Sequence, residues 1–246
     1  MLDYSINVEE VLQILVSRDW KTLSAMILTK PALFRHVACA VSSCSEFNGM
    51  TLLHAVVRCN PPLDIVAQII HLCPDMLSTK DCLHRTPLHV AAGSSNTSAS
   101  LLLKPLAHAC PAACEVQDVE GKTPLHFACD SSCVLFQEDH DRNNTSQSPN
   151  HEAIATLLSY SIHATTLEDD EEMSPLEHAI MSDASIETVK LLQSATRVAT
   201  KMKEGLQDVN AATANRWMKH SMHSCLSTSP TKKTRRITLD DDDIFD

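Results

Sequence analysis

The stretch GKTPLHFACD at residues 121–130 closely matches the stretch HRTPLHVAAG at residues 84–93. Two less similar copies are GMTLLHAVVR at 49–58 and EMSPLEHAIM at 172–181. Measured from the threonine or serine of each motif, the copies start at positions 51, 86, 123 and 174, which are 35, 37 and 51 residues apart. A sequence that repeats itself at a period in the mid-thirties indicates a stacked array of short helical units.

Each copy has the residues that begin a short helix after a tight turn. In the third copy, Asp118 and Gly121 favour the turn, because glycine reaches a positive φ without steric strain. Thr123 then suits the N-cap of a helix, and Pro124 suits the first helical position, where its missing N–H is not needed. The apolar residues that follow at helical spacing are expected to face inward: Leu125, Ala128 and Cys129.

A second, longer helix is predicted after each copy by apolar residues at three-to-four spacing. The four segments are 63–72, 98–109, 151–160 and 185–194. In two units a Cys-Pro pair follows this helix, and Pro74 and Pro111 both lie seven residues before the aspartate of the next turn, Asp81 or Asp118. Proline after a helix is a common stop signal, and two landmarks that keep one spacing support a true repeat.

The repeated motif resembles the ankyrin repeat over roughly residues 46–196. The residues that carry the resemblance are Asp118, Gly121, Thr123, Pro124, Leu125, His126 and Ala128 in one copy, and Asp81, Thr86, Pro87, Leu88, His89 and Ala91 in another. The resemblance implies an all-α fold, an ankyrin-repeat solenoid of stacked helix-turn-helix units with hairpin-like turns. It also implies that His89 and His126 are structural residues, each beside the threonine of its own motif.

The outer copies depart from the ankyrin pattern at several positions. Leu52 stands where the first copy would have proline, and Glu177 stands where the last copy would have histidine. His84 and Glu172 replace the turn glycine in the second and fourth units. We expect these departures to alter the geometry of the loops and to leave the fold intact.

The motif positions divide the chain into an N-terminal cap, an array and a C-terminal extension. Residues 1–45 are expected to form a divergent, capping repeat with helices at 7–17 and 20–29, followed by a longer loop or an extra turn at 34–45. Terminal repeats are commonly atypical, because one of their faces meets water. Four ankyrin-like repeats are then predicted at 46–80, 81–117, 118–168 and 169–196.

Two polar segments are predicted to be disordered. One is an insert near 133–150, between the two helices of the third repeat, and the other is the acidic C-terminal tail at 227–246. Neither segment has enough apolar residues to offset the entropy lost on ordering. Residues 197–226 are predicted to form a helical extension, which is either a cap or a further repeat.

Composition and charge exclude several functions. Ten cysteines without a signal-like N-terminus predict a cytoplasmic or nuclear protein with free thiols. No apolar stretch is long enough to cross a membrane. The net charge of −11 disfavours direct nucleic-acid binding, whereas the five consecutive carboxylates at 168–172 would suit a basic protein partner.

The sequence offers no set of residues suited to catalysis, a metal or a cofactor. Histidines that recur at equivalent repeat positions suit packing, whereas a catalytic site needs a unique combination of groups. The closest cysteine pairs, at 39/44, 110/114 and 129/133, lack the spacing of a zinc site. Four glycines in the whole chain exclude a glycine-rich phosphate loop. We therefore expect a non-enzymatic protein with no metal or other cofactor.

The resemblance implies that a protein partner binds the concave surface formed by the turn tips and the first helices. By repeat register, the candidate partner-binding residues are Phe47, Asn48, Met50, Arg58, Leu83, Arg85, Val119, Glu120, Lys122, Asp130, Asp170, Glu171 and Met173. This face passes from apolar and basic to acidic, so a partner with a basic end would suit the fourth repeat. Arg85 and Lys122 are expected to be exposed, so that reversing their charges leaves stability unchanged. We expect a monomeric scaffold or adaptor that does not bind membranes.

Two other functions are open on the sequence alone. A nuclear regulatory protein could act through the tail, which has a basic cluster resembling a nuclear-import signal, formed by Lys232, Lys233, Arg235 and Arg236. The tail also has two residues in contexts that resemble kinase sites, Ser229 and Thr238. The other open function is a thiol-based metal or redox protein, which the ten cysteines suggest.

Overall fold

The computed structural model describes residues 7–42, 47–94, 99–132 and 148–225. The α-helices in these ranges are α1 (Val8–Ser17), α2 (Trp20–Thr29), α3 (Pro31–Ser42), α4 (Leu52–Arg58), α5 (Leu63–Leu72), α6 (Pro87–Ala92), α7 (Ala99–Ala109), α8 (Pro124–Cys129), α9 (His151–Tyr160), α10 (Pro175–Met181) and α11 (Ile186–Cys225). Short 3-10 helices follow α5, α7 and α9, at Pro74–Leu77, Pro111–Glu115 and His163–Thr166. No β-strand occurs in the described ranges, and the all-α fold predicted from the sequence is confirmed.

Two rows of helices build the array. The first helices of the repeats, α4, α6, α8 and α10, each pack against the next, and α2, α5, α7 and α9 form a second row in the same way. One continuous apolar core includes residues of both rows, such as Leu52, Leu88, Leu125 and Ile154, all of them fully buried. Because each unit buries its apolar face against its neighbours, the interfaces between units supply most of the stability.

The first helix of each repeat begins where the sequence motif predicts. The N-cap residues are Thr51, Thr86, Thr123 and Ser174, all with extended backbone. Proline occupies the first position of α6, α8 and α10, where an N–H group would have no partner within the helix. Leu52 takes this position in α4 without a change in the capping geometry.

The N-terminal region differs from the prediction at residues 34–45. Pro31–Ser42 form the 12-residue helix α3, where we expected a longer loop or an extra turn. Pro31 lies just after α2, where a proline commonly stops a helix, and it is also the first residue of α3, a position that tolerates proline. α3 packs against α1, α2 and α4 through four buried residues at helical spacing, Phe34, Val37, Ala38 and Val41.

The chain divides into two compact units, residues 1–201 and 202–246. In the first unit, α11 contributes four buried residues, Thr188, Leu192, Ala195 and Ala199. In the second unit, the described residues are helical from Met202 to Cys225. Since α11 has no break between Ile186 and Cys225, no further helix-turn-helix repeat lies within its described residues.

Two predicted segments lie mainly outside the described residues. The insert near 133–150 is described only at Ser132 before it and from Ser148 onward, and the tail at 227–246 is wholly outside. Next to the insert, α8 ends at Cys129, and the Asn150 side chain caps α9 by accepting from two backbone N–H groups. None of the described helices is long and apolar enough to span a bilayer.

Candidate protein-binding face

Three buried histidines connect successive repeats. In His54, His89 and His126, Nδ1 lies 3.0 Å from the backbone nitrogen of the threonine that caps the same helix, and 2.8 or 2.9 Å from the threonine Oγ1. The other ring nitrogen, Nε2, reaches a main-chain oxygen of the next turn, 2.9 Å away in the first pair and 3.2 Å away in the other two. Each ring therefore caps its own helix and also holds the following repeat.

These contacts require neutral rings with the proton on Nε2. The carbonyl oxygen beside Nε2 can only accept a hydrogen bond, and the backbone N–H beside Nδ1 can only donate one. Burial lowers the pKa of all three rings, to about 3 for His89 and about 4 for His126. Because both ring nitrogens are engaged, these side chains are structural, as predicted for His89 and His126.

Glu177 replaces this histidine in the fourth repeat. Its Oε2 accepts from the backbone N–H of Ser174 at 2.7 Å and from the Ser174 hydroxyl at 2.8 Å, so the carboxylate caps α10 as imidazole caps the other first helices. An ionised carboxylate has no proton to donate, so Glu177 cannot hold a following turn as the histidines do. In the described chain the continuous helix α11 follows α10, and no such turn is present to be held.

The hairpin-like turns of successive repeats form a continuous row. Within the turns, one carboxylate oxygen of Asp81, Asp118 or Asp169 accepts two backbone N–H groups of its own turn. Between the turns, backbone N–H groups donate to main-chain oxygens in the pairs Cys82 to Asn48 at 2.8 Å, Val119 to Leu83 at 3.0 Å and Asp170 to Glu120 at 3.0 Å. Each turn is thus tied to the next, which holds the exposed side chains at a set separation.

Six exposed residues of these turns form what we call the tip face: Asn48, Leu83, Val119, Glu120, Asp170 and Glu171. Leu83 is 42% exposed and Val119 is 45% exposed, and these two apolar residues lie on turns that a backbone hydrogen bond joins directly. Glu120 and Asp170 are joined in the same way one repeat further along. The tip face therefore has an apolar middle and an acidic end.

Arg85 is not part of the tip face, and the prediction that it is exposed was wrong. Only 7% of the residue is exposed, and its guanidinium forms an ion pair with the buried Asp81, with Nε and Nη2 both 2.9 Å from Oδ2. The arginine lies directly before Thr86, below the tip of the turn, and its side chain folds back onto the turn aspartate. The sequence signal for this ion pair is the spacing of four residues between the aspartate and the arginine.

Lys122 and Asp130 are also partly buried. The Lys122 Nζ lies 3.3 Å from Glu120 Oε2 and 3.8 Å from Asp130 Oδ2. The Asp130 side chain is 9% exposed, and it also lies 3.7 Å from Nδ1 of His178, whose Nε2 is 2.7 Å from Asp169. These two candidate residues therefore belong to a polar network between the third and fourth repeats.

The other candidate residues fall into two groups. Four are half-buried: Phe47, Met50 and Met173 lie beside the tip face, and Arg58 is the last residue of α4. The residues of the basic cluster and of the kinase-like contexts lie outside the described chain, namely Lys232, Lys233, Arg235, Arg236, Ser229 and Thr238. The repeat register therefore located the turn tips, whereas it did not distinguish the exposed positions from those just below them.

The buried cysteines are poorly suited to reaction. Burial raises the pKa of Cys114 to about 12 and also raises that of Cys129, so both thiols are protonated at neutral pH. In the part of the chain that the structure describes, no three histidine, cysteine, aspartate or glutamate side chains are placed to hold a metal ion. Cys82 is exposed in the second turn, beside the tip face.

Comparison with known proteins identifies the repeats. The family described as ankyrin repeats (3 copies) matches residues 52–143, which contain α4 to α8. None of the curated proteins matches the chain. Ankyrin repeats are generally modules for protein–protein interaction and typically have no enzymatic activity. The matched segment, the capping histidines and the tied turns together show that the chain contains ankyrin repeats.

Proposed function

We propose that this protein is a non-enzymatic scaffold or adaptor that binds a protein partner through the tip face. The observation that carries the proposal is the pair Leu83 and Val119, two exposed apolar side chains on directly joined turns. Apolar side chains that cluster on an exposed surface commonly mark an interaction site. The joined turns also keep the pair ordered before binding, which lowers the entropy lost when a partner docks.

The test compares two pairs of substitutions in the full-length chain. The double variant Leu83→Ser, Val119→Ser removes the apolar middle of the tip face. The double variant Leu63→Ser, Leu101→Ser is the matched control, because these two residues have similar exposure (46% and 55%) and lie on second helices, away from the turns. Affinity capture from cell extract, followed by identification of the bound proteins, is compared for both variants and the wild type.

We expect at least one protein that is captured by the wild-type chain and by the control variant and is lost with the tip-face variant. Capture lost with the control variant alone would place binding on the second helices and contradict the proposal. Capture unaffected by either variant but abolished by deleting 227–246 would move the function to the tail. Circular dichroism of each variant checks that the fold is retained.

A further inference from the structure

The uneven charge of the tip face indicates which kind of partner it fits. The carboxylates begin at Glu120, the residue directly after Val119, and 67% of the Glu120 side chain is exposed. The main-chain oxygen of Glu120 accepts from the N–H of Asp170, which brings the fourth turn next to the third. Three consecutive carboxylates of that turn are exposed: Asp170, Glu171 and Glu172. An apolar pair is therefore followed at once by four exposed carboxylates.

The neighbouring cations offset only one of these carboxylates, Glu120. Arg85 is buried in its ion pair with Asp81, and Lys122 lies between Glu120 and Asp130. No lysine or arginine of the described residues forms an ion pair with the three carboxylates of the fourth turn. The sequence predicted a face that changes from apolar and basic to acidic. In the described chain the turn cations Arg85 and Lys122 are engaged in ion pairs, and the three carboxylates of the fourth turn have no cationic partner.

We propose that the partner of the tip face is a basic protein segment. An apolar side chain of this segment would contact Leu83 and Val119, and its lysine or arginine side chains would pair with Glu120 and with the carboxylates of the fourth turn. This inference rests on the proposed function and specifies the chemistry of its partner. Charge complementarity favours a cationic segment, because opposite charges speed association and fix its direction along the face. The apolar pair supplies contact area that carboxylates alone would not.

The spacing of the face limits how such a segment is built. Residues joined by backbone hydrogen bonds between neighbouring extended chains lie about 5 Å apart. The path from Val119 through Glu120 to Asp170 is therefore roughly 8–10 Å long, counting one step along the chain and one between turns. An extended segment advances about 3.3 Å per residue, so the basic residue opposite Asp170 would lie about two to four positions from the apolar anchor.

The same charges argue against other classes of partner. The phosphates of DNA, RNA or an anionic lipid surface would be repelled by the exposed carboxylates of the fourth turn, with which no described lysine or arginine forms an ion pair. A polyacidic protein segment would be repelled for the same reason. A neutral apolar segment could contact Leu83 and Val119 without any contribution from the carboxylates of the fourth turn. The test must therefore distinguish a neutral segment from a basic one.

The experiment selects a random peptide library on the immobilised full-length protein and then measures binding of the enriched peptides by fluorescence anisotropy. The variant Glu171→Lys, Glu172→Lys reverses two exposed charges of the fourth turn. The matched control is Glu152→Lys, Glu187→Lys, because both residues are exposed glutamates at the starts of α9 and α11. The variant Glu171→Gln, Glu172→Gln removes the charges without reversing them.

We expect peptides with lysine or arginine within four positions of an apolar residue, with affinity that falls when NaCl is raised. Their dissociation constants should rise on the order of tenfold in the charge-reversed variant and less in the glutamine variant, with no change in the control. Enriched peptides that are neutral or acidic, or that bind the charge-reversed variant equally well, would overturn the basic partner. If those peptides still require Leu83 and Val119, the proposed function survives; if no enriched peptide requires either pair, both fail.

Discussion

The Nε2 atom of His126 lies 3.2 Å from the main-chain oxygen of Met173, a residue 47 positions later in the chain. This contact joins the third and fourth repeats across the insert between α8 and α9. Replacing the ring by leucine keeps an apolar body but leaves the N–H of Thr123 and the oxygen of Met173 without this partner. We expect His126→Leu to lower the free energy of unfolding by about 2–4 kcal/mol.

Urea unfolding followed by circular dichroism measures this change. The control is His163→Leu, since His163 is exposed in a 3-10 helix, and it should change stability by no more than about 0.5 kcal/mol. Equal stability of the two variants would mean that the ring of His126 is not needed to join the repeats.

Stability should fall when the pH is lowered from 7 to 5. Burial lowers the pKa of His54, His89 and His126 below the value of about 6.5 expected in the unfolded chain. As the pH drops below 6.5, the unfolded chain takes up protons at these positions and the folded chain does not, so unfolding becomes more favourable. The free energy of unfolding should fall by about 1 kcal/mol per pH unit for each histidine whose two ring nitrogens are both hydrogen-bonded.

Urea midpoints measured at several pH values in this window check the prediction. Most carboxyl groups titrate at lower pH, which makes the histidines the main contributors between pH 7 and 5. His126→Leu should show a shallower pH dependence than the wild type, because one titrating group is missing. A stability that stays level or rises toward pH 5 would contradict the lowered pKa values.

Charge reversal at Arg85 should destabilise the fold strongly. Its ion pair with Asp81 is buried, so Arg85→Glu would place two carboxylates side by side without a cation. We expect a loss of about 3–5 kcal/mol, the usual result of breaking a buried pair. Lys80→Glu is the matched control, since Lys80 is exposed just before the same turn, and it should change the free energy of unfolding by at most about 0.5 kcal/mol. If both variants melt at the same temperature, Arg85 is more accessible than its contacts indicate.

Alanine should destabilise the protein at one glycine and be tolerated at another. Gly121 has a φ of +75°, and a Cβ atom there would lie 2.9 Å from the backbone nitrogen of Asp170. Gly121→Ala should therefore destabilise the protein by more than about 1 kcal/mol. Gly205 lies in α11, and a Cβ there would meet no atom within 4 Å apart from the adjoining backbone of its own helix, so Gly205→Ala should raise helicity or leave it unchanged. Thermal unfolding of the two variants separates local strain from a general intolerance of alanine.

Most of the local structure could be predicted from the sequence because neighbouring residues determine it. The threonine N-cap, the proline after it and the histidine three residues later act within one helical turn, and all three have the predicted roles at Thr123, Pro124 and His126. The tip residues could be located for a related reason, since the repeat register assigns equivalent positions to every turn.

The remaining features depend on contacts that a repeat pattern does not show. A proline such as Pro31 is compatible with both the end of one helix and the start of the next, and only the burial of Phe34 and its neighbours decides between them. Arg85 and the half-buried Lys122 occupy equivalent positions in successive repeats. Arg85 nevertheless pairs with Asp81 of its own turn, whereas Lys122 lies near Glu120 and Asp130. The contact between Leu83 and Val119 depends on how closely two turns approach, which follows from the packing of α6 against α8.

Glu177 has a consequence for how such an array can be lengthened. A unit added after the fourth repeat would follow Glu177, a carboxylate that cannot donate a hydrogen bond to the turn of the new unit. A unit inserted between existing repeats would instead follow a repeat whose histidine can donate that bond. Internal duplication would therefore extend this protein with its connections intact, and terminal extension would first require Glu177→His. The residue at this position thus makes the last unit different from those before it, and it gives the array a direction of growth.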